Sequence, residues 1–189
     1  MKEPILEPLL RRMRLRQVLP YIEKHQDCRL LDIGCGWDIR LLRSIETHIT
    51  TGIGIDFKVP DFRSGKIRTM SARLDKILPF DDASFDLITM LAVLEHLDNP
   101  VEILCECKRI LRPGGGLLLT VPSRRAKPIL EFLAFKMNVV NPEEILDHKR
   151  YFNREDLIRL FLRIPGLILR EHAYFQLQLN NRIFAVREG

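Results

Sequence analysis

Apolar positions change their period several times along the chain, and each change marks an element. From about residue 4 to 26, Leu6, Leu9, Leu10, Met13, Val18, Leu19 and Ile22 recur at helical spacing with arginines between them. Pro20 is expected to break this helix or to open a further turn. Residues 29–34 (RLLDIG) are a short apolar run ended by glycine, the pattern of a buried strand. A helix is predicted over residues 37–46 through Ile39, Leu41, Leu42 and Ile45, then strands at 51–56 and 66–70. Residues 85–91 (FDLITML) read as a strong fourth strand. A helix at 101–111 stops before Arg112-Pro113-Gly114-Gly115, and a fifth strand at 116–121 ends at Pro122.

Strands that alternate with helices and are apolar on both faces imply a mostly parallel sheet covered on both sides, a doubly wound α/β architecture. The last third differs. Residues 153–163 read as a helix capped by Asn153, with Glu155 and Asp156 in its first turn. Residues 167–174 and 180–187 read as two strands joined by a short polar connection, a terminal antiparallel hairpin. With 189 residues, one domain over 1–189 is expected. Its parts are a helical cap (1–26), a ligand-binding core (27–122), a lid over the substrate (123–152) and a helix with the hairpin (153–189).

Composition narrows the class. Hydrophobic residues make up 46% and charged residues 29%, a globular balance. No apolar run reaches the roughly 20 residues of a membrane-spanning helix. Lys2 is followed by Glu3, and the stretch from Ile5 is interrupted by Pro8, Arg11, Arg12, Arg14 and Arg16, so no signal peptide is read and a cytoplasmic address is expected. Cys28, Cys35, Cys105 and Cys107 form no CxxC pair and read as reduced thiols; no metal ligands are predicted. The net charge is +5, with clusters at Arg11 to Arg16 and at Arg124, Arg125 and Lys127. A solvated basic face is favoured over a functional patch. The alternative is weak contact between the first helix and anionic lipid.

The most informative stretch is Asp32-Ile33-Gly34-Cys35-Gly36, where a first strand hands over to a first helix. Gly34 and Gly36 permit a sharp turn and close approach of a ligand. A dinucleotide fingerprint wants a third glycine where Ile39 stands. An acid just before the first glycine instead suits an ammonium group. Asp56 ends the second strand, 24 positions after Asp32, near the spacing at which an acid meets ribose hydroxyls. A ligand with carboxylate, amine and ribose, such as a methionine joined to adenosine, fits both ends of this turn.

Four segments in order resemble class I S-adenosylmethionine-dependent methyltransferases of the small-molecule branch. They are Leu31 to Gly36 (LDIGCG), Gly54-Ile55-Asp56, Leu78-Pro79-Phe80 with Ser84 to Ile88, and Leu94-Glu95-His96-Leu97 with Arg109 to Gly115. The resemblance implies a Rossmann-like fold with a seven-stranded sheet, S-adenosyl-L-methionine as cofactor and S-adenosyl-L-homocysteine as product. It implies cofactor contacts from Asp32, Ile33, Gly34, Cys35, Gly36 and Asp56. It further implies adenine contacts from Phe57, Arg73, Leu74 and Asp75, with Leu91 beside the sulfonium; Phe57 and Leu74 could equally be core residues. The family loop continues with a glycine where this chain has Asp38, which is expected to cap the following helix or to weaken the site.

Methyl transfer to oxygen needs an aligned nucleophile and a group that handles its proton. His96 is the first candidate base; its alternative is a histidine that bonds a loop or packs on the next helix. In the lid, Phe132, Phe135 and Met137 either close over an acceptor or pack on the first helix, and His148 and Tyr151 are candidate acceptor contacts. The acceptor expected is a small molecule, with lipid-linked and sugar acceptors open. Nucleic acid is disfavoured: Leu91-Ala92-Val93-Leu94 replaces the Asn/Asp-Pro-Pro-aromatic run of base amino-methylation, and no aromatic strip accompanies the basic runs. No obligate protein partner is implied. A non-catalytic binding module and an RNA or protein methyltransferase are the rival readings.

Overall fold

The structure, a computed structural model, describes residues 4–74, 77–137 and 139–189. Strand β1 (Cys28–Ile33) shows why its run is apolar throughout: its alternate side chains enter two different cores. Leu30 packs with Val18 and Ile22 of helix α1 (Glu7–Glu23) and with Leu41, Leu42 and Ile45 of α2 (Arg40–Ile45). Leu31 and Ile33 face the other way, toward Ile103, Leu104 and Cys107 of α3 (Pro100–Ile110) and Leu157 and Phe161 of α6 (Arg154–Leu162). A strand buried on both faces has no polar side to show, so period-2 alternation disappears.

The remaining strands are β2 (Ile49–Asp56), β3 (Phe62–Ser64), β4 (Ile67–Ser71), β5 (Phe85–Leu91), β6 (Leu111–Pro122), β7 (Leu167–Phe175) and β8 (Asn180–Arg187). They lie in the order β3-β4-β2-β1-β5-β6-β8-β7. β4, β2, β1, β5 and β6 are mutually parallel, and the terminal hairpin joins through β8, antiparallel to β6. The chain winds outward from β1 through β2 and β4, then crosses back to place β5 on the other side of β1. The carboxyl ends of β1 and β5 therefore flank a switch point, where open sheets leave a crevice.

Three expectations are corrected. The sheet has eight strands among the described residues, because β3, three residues long, pairs antiparallel with β4 at the edge. Helix α1 runs through Pro20 without breaking; Pro20 is exposed in the last turn, where the carbonyl that loses its partner can be met by water. Helix α2 starts at Arg40, since Gly36 to Ile39 remain in the loop. The hairpin and the Asn153 cap are as predicted. Asn153 Oδ1 accepts the Asp156 amide at 2.9 Å and Asp156 Oδ2 accepts the Asn153 amide at 3.0 Å, a capping box.

Arg109 explains why two of the sequence segments belong together. Its guanidinium donates to the Phe80 carbonyl at 2.8 Å, the Leu78 carbonyl at 3.1 Å, Asp82 at 2.7 Å and Glu106 at 2.7 and 2.9 Å. The loop before β5 is thus fastened to the end of α3. Among the described residues, no helix is long and apolar enough to cross a membrane.

Candidate active site

The glycine turn is built by two requirements. Gly34 has φ +75°, and a Cβ there would lie 2.2 Å from Val93 Cγ2, so both the backbone and the packing demand glycine. Gly36 has φ +66°, but a Cβ there would meet nothing nearer than Asp38 Oδ1 at 3.9 Å: its open side is the cleft. The turn is pinned to β2, with the Gly34 amide donating to the Ile55 carbonyl at 2.8 Å and the Gly36 amide to Asp56 Oδ2 at 3.0 Å. Gly54 makes room for Cys35, whose Sγ lies 2.8 Å from where a Cβ would stand. Burial raises the Cys35 thiol far above its ordinary range, which keeps it protonated. Asp38 does not cap α2. The left-handed residue before the helix is Ile39, φ +45°, and Asp38 instead pairs with Arg40 and lies 3.8 Å from Arg11. Its charge is thereby offset within the cleft wall.

Two carboxylates differ sharply in setting. Asp32 is 3% exposed and stands in register between Gly54 of β2 and Thr89 of β5. Burial raises its carboxyl to about 7, against the lowering effect of the 2.7 Å hydrogen bond from Thr89 Oγ1. Asp56 is half-buried and accepts two amides, Gly36 through Oδ2 and Lys58 through Oδ1 at 2.8 Å. Each oxygen keeps a second lone pair for a ligand hydroxyl.

These groups line one cleft of about 970 Å³ at the carboxyl ends of β1, β2 and β5. Its wall brings together Asp32, Gly34, Cys35, Gly36, Asp56, Phe57, Arg73, Leu74, Leu91 and His96, all candidate site residues of the sequence. Phe57 is 60% exposed, so it is not a core residue, whereas Leu74 also packs against the main core. Ile33, predicted as a cofactor contact, is wholly buried in the main core and is not part of the cleft wall. Asp75 lies outside the described residues. Ala92, following Leu91, holds φ +58°, an unusual conformation for alanine at the rim of a ligand cleft.

The acceptor side is made by long-range contacts. His96 ends a 3₁₀ turn (Leu94–His96), and its Nδ1 lies 2.8 Å from Asp147 Oδ2. The segment after α5 (Pro142–Leu146) is laced onto that turn: the Lys149 amide donates to the Glu95 carbonyl at 2.9 Å, and Arg150 donates to the Leu97 and Asp98 carbonyls. His148 and Tyr151 do not line the cleft. The His148 ring stacks edge-on against His96 with centroids 4.8 Å apart, and its Nδ1 lies 3.0 Å from the Tyr151 hydroxyl. Burial lowers His148 to about 4, so it is neutral, and raises Tyr151 to about 12.

The wall also takes in residues to which the sequence motifs do not point. Arg11, Arg14 and Leu15 of α1 line the cleft, as do Asn141, Glu143 and Glu144 from α5 and its cap. The basic face is thus divided, with Arg11 and Arg14 turned inward and Arg12 and Arg16 exposed. An i, i+3 spacing was the available clue. Phe132, Phe135 and Met137, placed in the lid by sequence, are each about half exposed and stand outside the cleft wall, on and after α4 (Ala126–Phe135).

Comparison with known proteins agrees with this geometry. A ubiquinone biosynthesis O-methyltransferase of Photobacterium profundum is 24% identical over 72% of this chain; the match covers 63% of that protein, so the chain spans less than two thirds of such a relative. Among solved structures, a protein complexed with the Trm112 methyltransferase activator of Haloferax volcanii superposes with a TM-score of 0.72 at 15% identity, over 98% of this chain and 96% of that one. An S-adenosylmethionine-dependent methyltransferase of Mesorhizobium loti gives 0.67 at 17% identity, over 92% and 95%. The family model described as a methyltransferase domain matches residues 6–164, which spans the whole cleft wall from Arg11 to Lys149. The chain belongs to the methyltransferase domain family, with the Rossmann-like fold of class I S-adenosylmethionine-dependent enzymes.

Proposed function

We propose that the chain transfers the methyl group of S-adenosylmethionine to an oxygen of a small-molecule acceptor. The observation that carries this reading is the pairing of Asp56 with the Gly36 amide at the mouth of the switch-point crevice, with Asp32 buried behind the same turn. The cofactor supplies an electrophilic methyl on a positive sulfur. The residues fit it. Gly36 leaves open space where a side chain would intrude, Asp56 keeps lone pairs for ribose hydroxyls, and Asp32 offers a carboxylate to an ammonium group. Phe57, Arg73 and Leu74 flank the adenine end and Leu91 stands on the sulfonium side.

On the acceptor side, His96 is held by Asp147 in one ring orientation and lines the cleft, the position of a group that handles the acceptor's proton. His148 and Tyr151 fix that histidine from behind. The acceptor class is supported by the relative named above, a ubiquinone biosynthesis O-methyltransferase. Asn141, Glu143 and Glu144, on α5 and its cap, contribute to the same cleft wall.

Isothermal titration with S-adenosylmethionine and S-adenosylhomocysteine tests the reading. Saturable binding of both, lost in Asp56→Ala, supports it. No heat at millimolar ligand makes the chain a non-catalytic module. Transfer of labelled methyl into a mixture of phenolic and hydroxylated metabolites then identifies the acceptor; label incorporated into RNA or protein instead would refute the small-molecule assignment.

A further inference from the structure

Beside the acceptor end of the cleft, three side chains converge that the methyl-transfer reading does not require together. A carboxylate oxygen of Glu95 and one ring nitrogen each from His96 and His148 lie within 4.8 Å of one another. Glu95 is 1% exposed, and its Oε2 is buried without a hydrogen-bond partner in the structure. A buried carboxylate oxygen left unmatched costs free energy that folding must offset elsewhere, so its persistence calls for a ligand. We propose that Glu95, His96 and His148 bind a divalent transition-metal ion on the acceptor side of the cleft, an assignment that rests on the methyl-transfer reading only for its use.

The second partners of both histidines suit that role. Asp147 occupies His96 Nδ1 at 2.8 Å and Tyr151 occupies His148 Nδ1 at 3.0 Å, which leaves Nε2 of each ring as the coordinating atom. Metal-bound imidazoles are oriented in this way, through hydrogen bonds at the opposite nitrogen. Two imidazoles and a carboxylate select zinc and its neighbours over magnesium or calcium, which prefer all-oxygen sets. The local charge also favours a cation, with Glu95, Glu144 and Asp147 set against Arg14. Bonds of about 2.0–2.2 Å place tetrahedral ligand atoms roughly 3.4 Å apart, so closure about an ion needs side-chain shifts of about 1 Å. Three protein ligands leave a further position, and of the three residues His96 lines the cleft. An acceptor hydroxyl bound there becomes more acidic and gives its proton to solvent water, and His96 then serves as a ligand in place of a base.

The test uses the full chain stripped with chelator and titrated with Zn²⁺, Co²⁺ and Mg²⁺ separately. One equivalent of Zn²⁺ is expected to bind at micromolar concentration or tighter, with Mg²⁺ at least 100-fold weaker. Glu95→Gln and His148→Ala should each weaken Zn²⁺ at least 50-fold while S-adenosylhomocysteine affinity changes less than twofold. Melting of each apo variant confirms its fold, and Glu95→Gln, which removes a buried charge, should not melt below wild type. Bound Co²⁺ should show visible ligand-field bands without a thiolate charge-transfer band. Equal Zn²⁺ affinity in wild type and both variants, a thiolate band, or no binding by wild type would overturn the site. Zinc binding that persists in a chain unable to bind S-adenosylhomocysteine would leave the site standing and remove the methyl-transfer reading.

Discussion

The Asp56 carboxylate accepts the Gly36 amide at 3.0 Å, so the acid that ends β2 also holds the last residue of the glycine turn. One side chain thereby sets the loop's shape and presents an acceptor to the cleft. Its second oxygen does the same for Lys58, at 2.8 Å.

Asp56→Ala is expected to weaken S-adenosylmethionine binding at least tenfold, since hydrogen bonds to charged groups contribute about 1.5–3 kcal/mol. Titration calorimetry measures it. Asp56→Asn should lose less, because an amide oxygen still accepts the Gly36 N–H. Unchanged affinity in both variants would remove Asp56 from the site.

The two turn glycines should fail differently. Gly34→Ala meets Val93 at 2.2 Å in addition to its positive φ. It is expected to destabilise the fold by about 2–4 kcal/mol. Gly36→Ala bears only the backbone cost, about 1–2 kcal/mol, and should chiefly block the ligand. Urea unfolding alongside ligand titration separates the pair; equal stability losses would contradict the packing account.

Asp32 predicts a pH signature. Its folded pKa of about 7 lies above the unfolded value near 4, so between those values the folded state binds more protons and stability falls as pH rises. The stability of Asp32→Asn relative to wild type should therefore increase from about pH 4 to 7 and level off above. A cofactor ammonium favours ionised Asp32, so wild-type affinity for S-adenosylmethionine should drop as pH falls below about 7. Parallel stability curves for the two proteins across pH 4–8 would refute the shift.

His96→Ala should cut methyl transfer by about 10²-fold or more while leaving S-adenosylhomocysteine affinity within twofold of wild type. Asp147→Ala, acting only through His96 orientation and largely exposed, should cost about tenfold or less. Single-turnover assays give the comparison; full activity in His96→Ala would eliminate its role in the reaction.

Arg109→Ala removes a guanidinium with five hydrogen bonds and should lower stability by about 1–3 kcal/mol. Hydrogen exchange should show the loss as faster opening of residues 78–82 rather than of β1. Unchanged protection there would show that the Leu78–Phe80 loop holds by packing alone.

Local sequence determined the layers of this protein and one half of its site. Apolar runs with no polar face can only be strands buried on both sides, which fixes a covered parallel sheet; β5 falls on Phe85–Leu91 as its run predicts. The glycine turn and Asp56 are legible because the backbone conformation at Gly34 and Gly36 and the strand-end position of Asp56 are set by neighbours in the chain. Tertiary structure decided the rest. Asp147 meets His96 across 51 positions, and Arg11 and Arg14 reach the cleft from a helix whose register faces the turn only after it packs on β1. Glu95 gives no sign in sequence that it would be buried with an unmatched oxygen, because burial is fixed by the segment that laces over it from Lys149 and Arg150. Contacts between distant segments carry no periodicity, so no local pattern records them.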